Sequence, residues 1–389
     1  MREVYLDNSA TTEVSPEALA AYVKTSKNNW GNPSSRHNRG KEAEDLMEDA
    51  RDAVRHALGA KDGQVIFTSG GTEANNLAIL GRVEAKPRFM RGGVILTTAG
   101  EHSSVARPLE ALKAKGLTVV EIPTRNGVLD LDALTAALTP AVCLVTMMAV
   151  NNETGARYPL GEVSRLMRKH APDAVLHIDA TQAFLKVPLT VTQTGADLVT
   201  LSSHKIRGPK GVGALWVSAA VTKNRGIAPL LLGGGQENGL RSGTENVPGV
   251  AAFATAVRLG EQALPETERH LSALREALIA GVRDNPALSE VKLNLPPTAA
   301  PHILSLTLPK IKSETMVHFL SSRGVYVSGG SACSSHDSHL SSAMLAFGLT
   351  PEETDCTIRV SFGVQNTHED IDRFLAALAE GLSTLVRKR

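Results

Sequence analysis

Lys205 closes the tetrapeptide Ser202-Ser-His-Lys205, and Gly208-Pro-Lys-Gly211 follows almost at once. Apolar runs flank this polar knot, Leu198 to Leu201 before it and Val212 to Val217 after it. A strand that ends in hydroxyls, an imidazole and an amine, then turns sharply, gathers those groups at a sheet edge. Burial disfavours the charged form of lysine, which makes such an amine a usable nucleophile for Schiff-base chemistry with a carbonyl cofactor. A His-Lys pair alone is more simply a basic surface turn. What shifts the balance is the number of other strand ends that carry chemistry.

Ser69-Gly-Gly-Thr72 falls between a strand and a helix, where backbone N–H groups and a hydroxyl can hold a phosphate. It matches neither a Walker loop nor a GxGxxG fingerprint, and a plain turn with Thr72 as helix N-cap explains it equally well. His177-Ile-Asp-Ala-Thr-Gln182 ends another strand with a carboxylate and an amide. A buried Asp179 needs a partner such as a protonated pyridine nitrogen; otherwise it is an N-cap. Gly100-Glu-His102 and Asn151-Asn-Glu-Thr-Gly155 also follow strands. Thr72, His102, Asn152, Asp179 and Lys205 thus all fall at strand C-terminal ends, the ligand crevice of an open α/β sheet.

Cys333 lies in Val327-Ser-Gly-Gly-Ser-Ala-Cys-Ser-Ser-His336, among small polar residues that favour an exposed, mobile thiol nucleophile. Cys333, His336 and His339 recur every three residues and could ligate zinc, but a Ser-rich loop is a poor frame for a metal. Cys143 sits in an apolar run and reads as core. Cys356 has no evident role.

The elements that must position these groups alternate. Strands are expected at Val65–Thr68, Val94–Thr97, Thr118–Ile122, Val142–Thr146 and Val175–Ile178, with helices between, for example Leu131–Leu138 and Leu160–Lys169. Alternation implies crossovers and a mostly parallel sheet, with an antiparallel hairpin around Lys205. A helix with apolar residues at helical spacing runs to Leu58, where Gly59 stops it. A long helix from Val250 to about Asn285, bent near Pro265, leads to a second region. That region contains strands at His302–Leu308, Val325–Val327 and Thr357–Phe362, with helices at Ser313–Ser322 and from His368.

The chain has 389 residues, enough for about two domains, with 42% apolar and 21% charged residues and a formal charge of +1. That balance gives no electrostatic case for nucleic acid or an anionic membrane. The longest apolar run, around 141–150, is too short to span a bilayer. Three scattered cysteines argue against a disulfide framework, and the N-terminus lacks a signal-peptide core, so a cytoplasmic enzyme is expected.

Many of these segments together resemble the cysteine desulfurases, the NifS/IscS-like group of the class V, fold-type I pyridoxal-phosphate (PLP) enzymes. The resemblance runs nearly end to end. It rests on Tyr5-Leu-Asp-Asn-Ser-Ala-Thr-Thr12, Gly31-Asn-Pro-Ser-Ser35, Phe67-Thr-Ser-Gly-Gly-Thr-Glu-Ala-Asn-Asn76, Glu101-His102 and Asn151-Asn-Glu-Thr-Gly155. It continues through Asp179-Ala-Thr-Gln182, His204-Lys-Ile-Arg-Gly-Pro-Lys-Gly211, Gly233-Gly-Gly-Gln-Glu237, Arg241-Ser-Gly-Thr-Glu-Asn246, Ser331-Ala-Cys333 and Arg359.

The resemblance implies a large cofactor-binding domain over 15–255 with a mostly parallel mixed sheet. It also implies a smaller α+β domain from 1–14 and 256–389, carrying the cysteine loop at about 328–342. Lys205 would hold PLP as a Schiff base and move protons, Asp179 would pair with the ring nitrogen, and Gln182 would bond the ring hydroxyl. His102 would stack on the ring and serve in acid–base steps. Gly71, Thr72, Ser202 and His204 would hold the phosphate, and Thr244 would reach it from a second subunit of a homodimer. Asn152 would touch cofactor or substrate, and Arg359 would clamp the carboxylate of L-cysteine.

The implied reaction converts L-cysteine to L-alanine, with sulfur held as a persulfide on Cys333 and passed to a protein acceptor. That acceptor would be an iron–sulfur scaffold or a tRNA-thiolation enzyme. Selenocysteine lyase or another class V lyase is the enzymatic alternative, and a non-catalytic sulfur carrier or scaffold is the alternative of a different class. The chain departs from the family pattern at Gly71 (usually Ala), Ser203 (usually Gly or Ala), Arg207 (commonly Tyr) and through the cysteine loop.

Overall fold

The computed structural model describes residues 2–329 and 340–387. Seven short runs rich in Val, Ile and Leu form one sheet. Their order across it is Gln64–Thr68, Gly213–Val217, Leu198–Ser202, Val175–Asp179, Val142–Met148, Val94–Thr98 and Thr118–Ile122. The four pairings from Leu198–Ser202 to Thr118–Ile122 are parallel, and Gly213–Val217 runs antiparallel to both its neighbours. Six strands therefore point the same way, and their C-terminal ends share one edge.

Successive side chains leave a strand on opposite faces. Val65 and Phe67 accordingly join one apolar cluster and Ile66 the other, as Ala214 and Trp216 oppose Leu215 and Val217. Helices Gly71–Glu84 and Ser103–Ala114 cover one face; Asn38–Ala57, Leu160–His170 and the start of Val247–Asp284 cover the other. Covering both faces is what a parallel sheet requires. Cys143 lies inside the first of these layers, and burial pushes its thiol up to about 11.

A four-stranded sheet, in the order Lys292–Asn294, Ile303–Thr307, Thr357–Ser361 and Ser328–Gly329, is antiparallel throughout. Leu304, Leu306 and Leu308 alternate onto one face, as expected, and pack with Leu274, Leu278, Phe374 and Leu378. The N-terminus belongs here too: Val4–Tyr5 pairs in parallel with Val325–Tyr326, and Val4 and Leu6 enter the same apolar cluster. Residues 7–12 then lead from this sheet to the edge of the larger one, where the Thr12 N–H bonds the His204 carbonyl at 3.0 Å.

Two expectations change. The long helix begins at Val247 and runs unbroken to Asp284 with Pro265 inside it. Its first turns pack in one apolar cluster and its last turns in another. A helix at Pro16–Asn28, capped by the Ser15 hydroxyl on Ala18 N–H, was not legible from apolar spacing. The residues it buries are the small Ala18, against Ala252 and Ala256, and Thr25, while Leu19, Tyr22 and Val23 face out.

Candidate active site at the strand ends

The shared edge opens into a cavity of about 370 Å³ lined by Gly71, Thr72, His102, Asn152, Asp179, Gln182, Ser202, His204, Lys205 and Arg359. Each strand end supplies its own part. After Gln64–Thr68 the chain turns through Gly70, which adopts a φ of 156° and provides no side-chain cap for the following helix. Thr72 is consequently not the N-cap but lies inside the first turn. Gly71 and Thr72, the first residues of a 14-residue helix, line the cavity beside Ser202 and His204. Uncapped helix N–H groups with hydroxyls around them favour a phosphate-like anion.

At the opposite side, Asp179 ends its strand and caps no helix. Its Oδ1 accepts the Thr181 N–H at 2.9 Å, and its Oδ2 accepts an Asn75 side-chain N–H at 2.8 Å. Both carboxyl oxygens thus serve as acceptors. Gln182 turns its amide nitrogen to the Ser9 carbonyl at 2.9 Å, and the Lys205 Nζ donates to the Ser9 and Ala10 carbonyls at 2.6 and 2.8 Å. The segment from the smaller sheet thus touches the reactive amine directly.

His204 sits under these cations. Burial, then Lys205, Lys210 and Lys186, lowers it to about 4, so it is neutral and pairs Nδ1 with the Thr11 hydroxyl at 3.1 Å. His177, two strand positions before Asp179, is held between the Thr146 and Thr200 hydroxyls, and burial brings it down to about 4. It is a satisfied core histidine.

Arg359, from the smaller sheet, reaches the same cavity while donating to the Asn152 carbonyl at 2.9 Å and to Asp7 at 2.9 Å. Its Nε is buried with no partner among the described residues. Beside it, Glu153 accepts the Ser341 hydroxyl at 2.5 Å, and burial pushes its carboxyl up to about 7.

Thr244 lines a different, smaller cavity of about 100 Å³, with Phe67, Thr68 and Ser69. Cys333 lies outside the described residues, as do His336 and His339. Ser203 is buried, and its hydroxyl finds no partner among the described residues.

The chain matches the aminotransferase class-V family over residues 4–374. This chain belongs to that family. Among its curated relatives, a NifS/IcsS protein homolog from Lactobacillus delbrueckii subsp. bulgaricus is 38% identical, covering 97% of this chain and 96% of its own. The cysteine desulfurase IscS of Dictyoglomus turgidum is 37% identical over 97% of this chain and 94% of its own. A solved NifS-like protein superposes with a TM-score of 0.90 at 34% identity, covering 99% of this chain and all of that one. A structure of SspA in complex with cysteine gives a TM-score of 0.79 at 28% identity over 93% of this chain and 99% of its own. The fold is therefore that of the NifS-like, fold-type I enzymes, a family that is generally PLP-dependent.

The cavity of this family member fits PLP on its own chemistry. It offers an amine for the aldehyde, a carboxylate for the ring nitrogen and an anion-binding helix end for the phosphate. Its wall also holds two buried polar atoms without a partner among the described residues, Ser9 Oγ and Asn75 Oδ1.

Sequence reasoning assigned no role to Asn75, Ser104, Ser9 or Lys186. Asn75 stands three residues after Thr72 on the same helix, a spacing that puts both on one face. Lys186, four residues after Gln182, is 7% exposed, and burial, then Lys205 and Arg359, brings it down to about 7.

Proposed function

We propose that the chain is a PLP-dependent cysteine desulfurase that uses Cys333 as sulfur carrier. The observation that carries this reading is the convergence of Thr72, His102, Asn152, Asp179, Gln182, Ser202, His204, Lys205 and Arg359 on one cavity. Bound PLP supplies an electron sink conjugated to the substrate α-carbon. Lys205 would provide the amine that carries it, and Asp179 would keep the ring nitrogen protonated. Gly71, Thr72, Ser202 and His204 would hold the phosphate, and Gln182 would bond the ring hydroxyl. Arg359, with Asn152 beside it, holds the L-cysteine carboxylate.

The Cys333 thiolate attacks the substrate sulfur. An S–S bond forms, the C–S bond breaks, and the electron pair left on carbon takes a proton, giving L-alanine and a Cys333 persulfide. A protein acceptor, an iron–sulfur scaffold or a tRNA-thiolation enzyme, then receives the outer sulfur. Few cysteines support a reducing, cytoplasmic setting. Among the described residues no helix is long and apolar enough to cross a membrane.

The working unit is a homodimer. Thr244 is exposed and away from its own chain's cavity, and the neighbouring Leu231 and Leu232 are 46% and 82% exposed, which supports delivery of Thr244 to a partner's phosphate site. The division into 15–255 and 1–14 with 256–389 is supported by the separate apolar clusters, with the boundary inside the long helix.

Replacing Cys333 with Ala tests the sulfur step. With L-cysteine as substrate, alanine formation should fall to background while PLP still binds; wild-type alanine production by the variant contradicts the persulfide route.

A further inference from the structure

His102 precedes the helix Ser103–Ala114 and serves as its N-cap. The cap bond is the Ser104 backbone N–H donating to His102 Nδ1 at 3.1 Å. A backbone N–H has no choice of role, so Nδ1 must present a lone pair. The Ser104 hydroxyl also lies 2.8 Å from Nδ1. Its direction is settled one residue further away.

Asn75 Nδ2 contacts both Ser104 Oγ and Asp179 Oδ2, each at 2.8 Å. An ionised carboxylate only accepts, so the amide must turn its nitrogen to Asp179. Its two hydrogens then serve Asp179 and Ser104. The Ser104 oxygen, already accepting from Asn75, directs its own hydrogen to His102 Nδ1. Every donor in the chain from Asp179 to His102 is thereby assigned.

We propose that Asn75 and Ser104 are positioning residues that lock His102 as the neutral tautomer with its proton on Nε2. The ring's one basic nitrogen is then occupied by two donors, and taking a proton there would break both bonds and the helix cap. His102 meets the cofactor face as a stacking ring and an N–H donor. The proton taken from the substrate α-carbon falls to the Lys205 amine. This keeps the proton movement that the family resemblance implied for Lys205 and takes Nδ1 out of the acid–base steps it implied for His102. The lock itself rests on the hydrogen bonds alone, and only its consequence for the proton rests on the desulfurase reading.

The test is the tautomer, read by long-range ¹H–¹⁵N NMR on full-length protein labelled at its 12 histidines, with and without PLP. A His102→Gln variant assigns the signal. At neutral pH the wild-type Nδ1 should resonate as an unprotonated acceptor and Nε2 as N–H. Asn75→Ala frees the Ser104 hydroxyl to turn away from the ring, so the Nδ1 signal should move away from the protonated position, to that of an acceptor with one donor fewer, while the backbone donor keeps Nε2–H in place. Ser104→Ala keeps the backbone donor and should leave Nε2–H in place. A wild-type Nδ1–H signal, or an Asn75→Ala spectrum identical to wild type, overturns the proposal. Either result stands apart from whether the enzyme desulfurates cysteine.

Discussion

Glu101 stands one residue before His102 with its carboxyl fully enclosed. One oxygen accepts the Thr98 hydroxyl at 2.7 Å and the Met148 N–H at 3.1 Å; the other has no partner among the described residues. Burial, set against those two bonds, pushes it up to about 8. Between about pH 4.5 and 8 the folded chain keeps a proton that the unfolded chain releases, so this group's contribution to stability is lost as pH rises. Glu101→Gln removes that dependence. Its gain over wild type should grow from pH 5 to pH 8, on the order of a few kcal/mol at about 1.4 kcal/mol per pKa unit. Urea unfolding at both pH values measures it, and a gain that does not change with pH refutes it. At this scale the sequence was informative where a residue's role is carried by its own strand end. Lys205, Asp179 and His102 stood out because each is a chemical group at a turn. Asn75, Ser104 and Lys186 did not, because their meaning comes from partners on other segments, as Asn75 shows by bridging residues 29 and 104 positions away.

Elements deliver those groups only if neighbouring backbones approach closely. Gly213 begins the one antiparallel strand of the large sheet, and a Cβ there would lie 2.6 Å from the Gly70 carbonyl carbon and 2.8 Å from the Leu201 oxygen. Both contacts are backbone, so neither can swing away. Gly213→Ala should cost roughly 1–3 kcal/mol through overpacking and weaken PLP retention by displacing the turn at Gly70. Equilibrium unfolding and cofactor titration check both effects; unchanged stability would mean the strand has room to shift. Strand positions were legible because β-branched runs alternate with turn formers. The hairpin around Lys205 follows from ten residues separating its strands, too few for a crossover helix. The Pro16–Asn28 helix was hidden because its buried contact is made by small residues, whose burial leaves no apolar stripe. The extra turn at the start of Val247–Asp284 is set by the Asn246 side chain accepting the Gly249 N–H, a cap that apolar spacing does not register.

At the scale of the molecule, the segment 233–246 is pinned at Glu237 and again where Arg241 pairs with Glu73 at 3.0 Å, and it is exposed at its glycines and at Thr244. Glu237 accepts from Arg51 at 2.7 Å and from the Phe67 N–H at 3.0 Å, fixing the segment to the sheet edge and leaving Leu232 and Thr244 outward. A charge at Leu232 should therefore split the proposed homodimer without unfolding the chain. Sedimentation of Leu232→Glu should give monomers with weaker PLP binding; a stable dimer would move the interface elsewhere. The N-terminal segment joins the two sheets and presents the Ser9 and Ala10 carbonyls to Lys205, so both halves of the molecule meet at one amine. That amine is also where the account is most directly tested. Borohydride reduction of the PLP-loaded protein, followed by peptide mass spectrometry, should place a reduced pyridoxyl-phosphate group on Lys205. A label on another lysine, or no label on a protein that nonetheless yields alanine from cysteine, would contradict the account.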